Sequence, residues 1–211
     1  MAPKRAVFAF LVILAACAGC LSAEPPAAPG AALDRPALQA GWAAWAAARD
    51  SLFASPLGPL PPAARARFEG VAYFPYDSAL AVPAALVPAL STDTVAFPTS
   101  TGELRPMVRA GQLVFEVGGV ERRLVAYTAV GPEASGALFV PFRDETSGGA
   151  TYGGGRYLDL DVAPLGRYAL DFNRAYHPYC VYSPAYSCPL PPAENTLALP
   201  VEAGERLAAG V

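Results

Sequence analysis

Side chains able to do chemistry crowd into residues 142–195. Seven of the ten tyrosines (Tyr152, Tyr157, Tyr168, Tyr176, Tyr179, Tyr182 and Tyr186) fall there, with two of the four cysteines, Cys180 and Cys188, and the single histidine, His177. Each tyrosine brings an apolar ring and a hydroxyl that needs a partner, which suits a wet pocket wall or a tyrosine-rich outer sheet face. Arg156 and Arg174 offer planar donor forks that match a carboxylate or phosphate. Near Asp144 and Asp171 they make either an anion site or a buried ion-pair network. Asp159 and Asp161 alternate along one predicted strand and so share a face. Two carboxylates so placed can divide acid and base roles, or simply stand in solvent.

Cys180 and Cys188 lie eight positions apart in a proline-rich segment. In an exported chain a disulfide is the default, closing a small loop for about 2–3 kcal/mol. A reactive thiol and a metal ligand are the alternatives, the latter weakened because only His177 adds a nitrogen donor nearby. The glycine-rich stretch 146–156 allows close backbone approach to a ligand, or forms a tightly turned hairpin. It lacks the lysine and following helix of a phosphate loop.

Composition removes several activities. Lys4 is the only lysine and lies in a leader segment, so the remaining chain has no Schiff-base lysine and no Ser-Lys dyad. One histidine rules out a zinc site of two or three imidazoles. Beyond residue 16 there are 13 arginines against 18 acidic residues, a net charge of −5, and no basic stripe marks a nucleic-acid surface. No cofactor is expected.

The leader reads as a processing signal. Lys4 and Arg5 precede an apolar run, Ala6 to Leu14, and then Leu14-Ala15-Ala16-Cys17, the order of a bacterial lipoprotein signal. The run falls short of the ~20 residues of a permanent span, so residues 1–16 are expected to be removed and Cys17 lipidated. Cys20 is a competing acceptor, and cleavage near Ala23 would instead release a soluble protein. Residues 17–36 form a Pro/Ala-rich linker, and residues 37–211 the domain.

The elements that must position the reactive stretch are mostly strands. Leu38, Trp42, Trp45, Arg49 and Leu52 recur at helical spacing, predicting one helix from Pro36 to about Ala54, capped by Asp34 and ended by Ser55-Pro56. Gly118-Gly119 between Gln112–Val117 and Val120–Tyr127 predicts a tight hairpin. Further strands are expected at Leu104–Ala110, Ala137–Arg143, Val71–Phe74, Val95–Phe97, Tyr157–Asp161, Tyr168–Asp171 and Leu197–Val201, with Pro141 marking an edge or a bulge. The class is mainly β: a β-sandwich or partly open barrel with one N-terminal helix and a long loop-rich C-terminal segment.

Phe142-Arg143-Asp144, Thr151-Tyr152, Gly155-Arg156-Tyr157, Asp171-Phe172-Asn173-Arg174-Ala175-Tyr176, Cys180, Cys188-Pro189-Leu190-Pro191-Pro192, Glu194-Asn195 and Ala203-Gly204-Glu205 resemble domain-of-unknown-function family 1684 (DUF1684). With Phe68-Glu69-Gly70 and Tyr73-Phe74-Pro75 the resemblance spans roughly residues 40–206. His177 stands where the family usually has Asn, and Tyr179 where it commonly has Pro. Both cysteines recur in members that look unexported, which favours a thiol or metal role there. The resemblance implies no activity. The candidate pocket is Thr146, Tyr152, Arg156, Asp171, Asn173, Arg174, Tyr176 and Asn195. Three functions remain open: a membrane-anchored binding module for a small polar or anionic ligand, a hydrolase using Cys180 or Asp171, and a structural envelope protein.

Overall fold

Alternation decides which way a strand's side chains face, and in this chain it changes sign part-way along the longest strand. The computed structural model describes residues 32–131 and 136–208. The predicted signal peptide, Cys17, Cys20 and nearly all of the linker lie outside these residues. Among those described, strands β1 (Ala81–Pro88), β2 (Thr94–Pro98), β3 (Leu104–Val117), β4 (Val120–Ala129), β5 (Leu138–Phe142), β6 (Arg156–Leu160) and β7 (Arg167–Asp171) form one antiparallel sheet. Its order is β6-β5-β4-β3-β1-β7, with β2 paired to β3. The strands at the two ends of that order, β6 and β7, are consecutive in the chain and line a common cavity. The sheet is therefore curled into a half-barrel whose seam lies between them.

Gly118 and Gly119, both at positive φ, close the β3–β4 hairpin that the glycine pair predicts. Pairing runs from Val117↔Val120 to Met107↔Ala129 with one extra residue, Ala110, between Arg109 and Gly111. The two strands expected at Leu104–Ala110 and Gln112–Val117 are thus a single strand with a bulge. An extra residue swaps the faces of a period-two chain. Leu113 and Phe115 join the main core with Leu124, Val140, Leu158, Leu170 and Phe172, while Met107, of the same parity, packs on the opposite face with Phe97, Val125 and Tyr127. At Gly111 a Cβ would collide with the Val87 carbonyl oxygen, so β1 can approach only a glycine there.

The expectations at Val95–Phe97, Tyr157–Asp161 and Tyr168–Asp171 correspond to β2, β6 and β7. Val71–Phe74 and Leu197–Val201 are not strands. The first makes a single bridge, Tyr73↔Glu205, and the second is strapped to Arg143, with the Leu197 amide donating to the Arg143 carbonyl at 2.8 Å. Leu197 and Val201 serve instead as buried plugs. β1 was not expected, because its two prolines and three alanines hide any alternation.

Pro141 marks neither an edge nor a bulge. It lies in β5, an interior strand, which pairs with β4 only at Tyr127↔Phe139. Asn195 spans the gap where β4 and β5 separate. Its Oδ1 accepts from the Val125 amide at 2.8 Å, and its Nδ2 donates to the carbonyls of Val125 at 2.9 Å and Pro141 at 2.7 Å. Its bond to the Val125 carbonyl replaces the ladder donor that a proline cannot supply.

Helix α1 (Arg35–Ala54) forms as expected: Asp34 Oδ1 accepts from the Ala37 amide at 3.0 Å, and Ser55 terminates it. Leu38, Trp42, Trp45, Arg49 and Leu52 form its half-buried face and Phe53 is fully buried. A four-residue helix, α2 (Pro62–Arg65), follows. Among the described residues no helix is long and apolar enough to cross a membrane.

Replacing Asn195 by Ala would strand three backbone groups, each costing about 1–3 kcal/mol when buried and unpaired. Urea titration should show the unfolding free energy of Asn195→Ala reduced by roughly 3 kcal/mol or more. A loss below about 1 kcal/mol would mean that this side chain does not hold the strands.

Candidate ligand-binding site

Cross-strand partners share a face, so the registers Met107↔Ala129, Tyr127↔Phe139 and Phe139↔Asp159 carry one continuous surface across β3, β4, β5 and β6. This surface lies opposite the main core. The chain from Tyr176 to Pro189 and the α1 residues Trp45 and Arg49 wall a cavity of about 630 Å³ above it. That volume lies within the usual range for small-molecule sites, ~300–1,000 Å³.

Aromatic rings dominate the walls, and their positions are fixed. Tyr157 and Tyr176 exchange backbone hydrogen bonds at 2.9 and 3.0 Å, capping the free edge of β6, and their rings meet edge to face at 5.6 Å. The Tyr157 hydroxyl donates to the Pro189 carbonyl, tying the wall to the floor. Tyr179 and Tyr186 pack at 5.2 Å on the opposite wall. The Tyr176 hydroxyl donates to Asp159 Oδ2 at 2.6 Å. Asp159 keeps solvent contact in the cavity, yet the crowding walls push its carboxyl pKa upward, opposed by that hydroxyl and by Arg49 and Arg174. Three strands away, and displaced along β3 from Arg109, which the registers set level with Asp159, Arg105 is exposed and donates from Nη2 to the Ser187 carbonyl at 3.1 Å. The cavity therefore presents a carboxylate at one end, a guanidinium at the other and aromatic faces between.

Glu205 supports this arrangement from below. It is fully buried and accepts from Arg49 Nε, from the His177 amide at 2.6 Å and from the Tyr182 hydroxyl at 3.0 Å. Burial pushes its carboxyl pKa up, while Arg49 and these donors favour the charge. The Arg49 guanidinium also lies 4.8 Å from the Tyr176 ring centroid and 5.5 Å from that of Trp45. Its position thus sets two walls of the cavity.

The family profile described as a protein of unknown function, DUF1684, matches residues 66–206. This chain belongs to the DUF1684 family. It is similar to an uncharacterized protein of Haloarcula marismortui solved by solution NMR, at 35% sequence identity, over 84% of this chain and 98% of that one, with a TM-score of 0.67. No curated protein matches the chain. The DUF1684 match begins after α1, so Trp45 and Arg49 reach the site from outside it.

The predicted pocket residues of this DUF1684 domain separate into three groups. Tyr176 lines the large cavity. Asp171 and Arg174 line a second cavity, of about 340 Å³, at the β6–β7 seam, and Asp159 lines both. The rest are structural. Arg156 has no exposure and donates to Asp144 at 2.9 Å and to the carbonyls of Val201, Ala203 and Glu205. Asn173 exchanges hydrogen bonds with the backbone of Asp77 at 2.8 Å, Thr146 pairs with Thr151 at 2.9 Å, and Asn195 bridges β4 and β5. The Tyr152 amide donates to His177 Nε2 at 3.3 Å. Sequence reasoning missed Arg105 and Glu205 as site-forming groups. Glu205 carried a signal, since it ends the Ala203-Gly204-Glu205 motif, whereas Arg105 carried none.

Cys180 and Cys188 are free and adjacent, with Cys188 Sγ accepting from the Cys180 amide at 3.3 Å. Burial pushes the Cys188 thiol up to about 11, so it stays protonated at neutral pH and is a poor nucleophile. His177 is 1% exposed, and burial, with Arg156 and Arg49 nearby, lowers its pKa to about 3. Among the described residues no group of three or more His, Cys, Asp or Glu could hold a metal ion.

A histidine with an ordinary pKa of 6.5 when unfolded, and about 3 when native, makes the unfolded chain bind more protons between those values. Stability therefore falls as pH drops through that window, by about 1–2 kcal/mol between pH 6.5 and 5. Urea midpoints measured at pH 7, 5 and 4 should decline less steeply for His177→Asn than for the natural chain. Parallel declines would place the acid sensitivity elsewhere.

Proposed function

We propose that this DUF1684 protein is an exported, lipid-anchored binding module whose aromatic cavity takes a small, hydroxyl-rich ligand of the saccharide class. The observation that carries this reading is the pairing of Asp159 and Arg105 at opposite ends of a cavity walled by Trp45, Tyr157, Tyr176, Tyr179 and Tyr186. Flat polyol rings stack on aromatic faces while their hydroxyls donate to a carboxylate and accept from a guanidinium. A bare cation fits poorly, because Arg49 already occupies the faces of Tyr176 and Trp45. A strongly anionic ligand gains little, because Glu205 neutralises Arg49 and the Asp159 carboxylate lines the same cavity as Arg105.

Thermal-shift titration with neutral mono- and disaccharides, a uronate and a quaternary ammonium salt distinguishes these classes. Neutral sugars should raise the melting temperature saturably, and Asp159→Asn or Arg105→Gln should weaken that response at least tenfold. Both residues are exposed, so the variants should fold. A panel without any saturable response, or variants that respond like the natural chain, would remove the reading.

The anchor is supported by the Leu14-Ala15-Ala16-Cys17 order. Export in turn favours oxidation of the adjacent Cys180 and Cys188 thiols to a disulfide, two thiols giving two electrons to an envelope oxidant and releasing two protons. Intact mass of the protein extracted from membranes, alkylated under denaturing conditions before and after reduction, tests both. The expected chain begins at a diacylglycerol-modified Cys17, carries one alkyl group at Cys20 beforehand, and gains two more only after reduction. An unlipidated chain, or more than one alkyl group beforehand, would refute the corresponding part.

A further inference from the structure

The half-barrel does not close between β6 and β7, and the opening is a cavity of about 340 Å³ roofed by Leu38 and Gly41 of α1. Asp171 lines it and is 4% exposed. One carboxylate oxygen is satisfied: Oδ1 accepts from the Asn173 amide at 3.0 Å and from Asn173 Nδ2 at 2.8 Å. Oδ2 is buried with no partner. A carboxylate oxygen in that position calls for a donor, since an unpaired buried acceptor is costly.

Two guanidinium groups border the same cavity, those of Arg167 and Arg174, both exposed. Neither takes part in any of the salt bridges among the described residues. The Arg174 guanidinium lies over the Trp45 ring, its central carbon 5.9 Å from the centroid, a contact with the ring face that leaves its N–H groups free to donate. A buried acceptor and two uncommitted donor forks thus share a space large enough for only a small molecule. A simple anion would leave Asp171 unpaired, and a simple cation would leave both arginines unused.

We infer that the seam cavity binds a small zwitterion of the amino-acid class, its ammonium group donating to Asp171 Oδ2 and its carboxylate held by Arg174 and Arg167. The site is separate from the aromatic cavity and does not depend on the ligand proposed for it. Bound there, the zwitterion joins the two ends of β7, Arg167 and Asp171, to Arg174 just beyond it, and gives Asp171 Oδ2 the donor it lacks.

Amide chemical-shift titration of the mature chain, residues 17–211, tests this with glycine and L-alanine as probes and acetate and methylammonium as half-ligands. The zwitterions should give saturable shifts centred on Gly41, Asp161, Asp171 and Arg174, with each half-ligand binding at least tenfold more weakly. Asp171→Asn keeps the Oδ1 acceptor and Arg174→Gln alters an exposed side chain, so both should retain the folded spectrum while losing at least tenfold in affinity. The inference is overturned if no zwitterion saturates, if acetate or methylammonium alone reproduces the shifts, or if a folded Arg174→Gln protein binds as the natural chain does.

Discussion

A carboxylate without solvent survives in a fold only when donors surround it, and Glu205 imposes that demand on three separated parts of this chain. Arg49 comes from the N-terminal helix, while the His177 amide and the Tyr182 hydroxyl come from the irregular segment after β7. The Glu205 backbone adds to the tie, its amide donating to the Ala175 carbonyl at 2.8 Å and its carbonyl accepting from Arg156 at 3.2 Å. Helix, connecting segment and C-terminal strap are consequently located by one buried charge. Through Arg49 the same charge places the rings of Trp45 and Tyr176, so the geometry of the cavity follows from an interaction beneath it.

Arg156 plays the complementary part. The strap from Val201 to Glu205 makes only the single bridge Tyr73↔Glu205 and joins no strand, yet its carbonyls need donors. A guanidinium with five N–H groups supplies three of them and still reaches Asp144. Buried Arg156 and buried Glu205 therefore perform for the loop-rich C-terminal half what strand pairing performs for the sheet. This is why two arginines that offer the same donor fork have different fates. Arg156 begins β6 with its side chain turned into the strap, whereas Arg174 ends a 3-10 turn and stays exposed.

The same distinction explains how far the sequence could be read. The α1 stripe and the Gly118-Gly119 turn are local signals, and the structure follows both. The bulge at Ala110 is also local, but a glycine beside it looks like a strand end until the parity of Met107 and Leu113 is compared. β1 was illegible because Pro83, Pro88 and three alanines carry no alternation, its burial being set by the strands on either side. Among the pocket residues, type alone indicated polar work for Arg156, Asn173 and Asn195. It could not distinguish binding a ligand from binding a backbone, since both tasks call for the same donors and acceptors. Only partners remote in sequence decide that, 70 residues away for Asn195 and Val125.

Asp159 shows what the unclosed sheet makes possible. Tyr157 turns its backbone outward to Tyr176, and strand alternation turns Asp159 toward the same free edge, where β6 has left its neighbours behind. In a closed barrel that edge would be paired to β7 and the seam cavity would not exist. Because the sheet stops short, Asp159 borders the aromatic cavity on one side and the seam on the other. The wall between the two spaces is thus one strand edge, steadied by Tyr176 and roofed by α1. Incomplete closure gives this small half-barrel its concave surfaces, and the buried Arg49–Glu205 pair keeps the helix in place where pairing is absent.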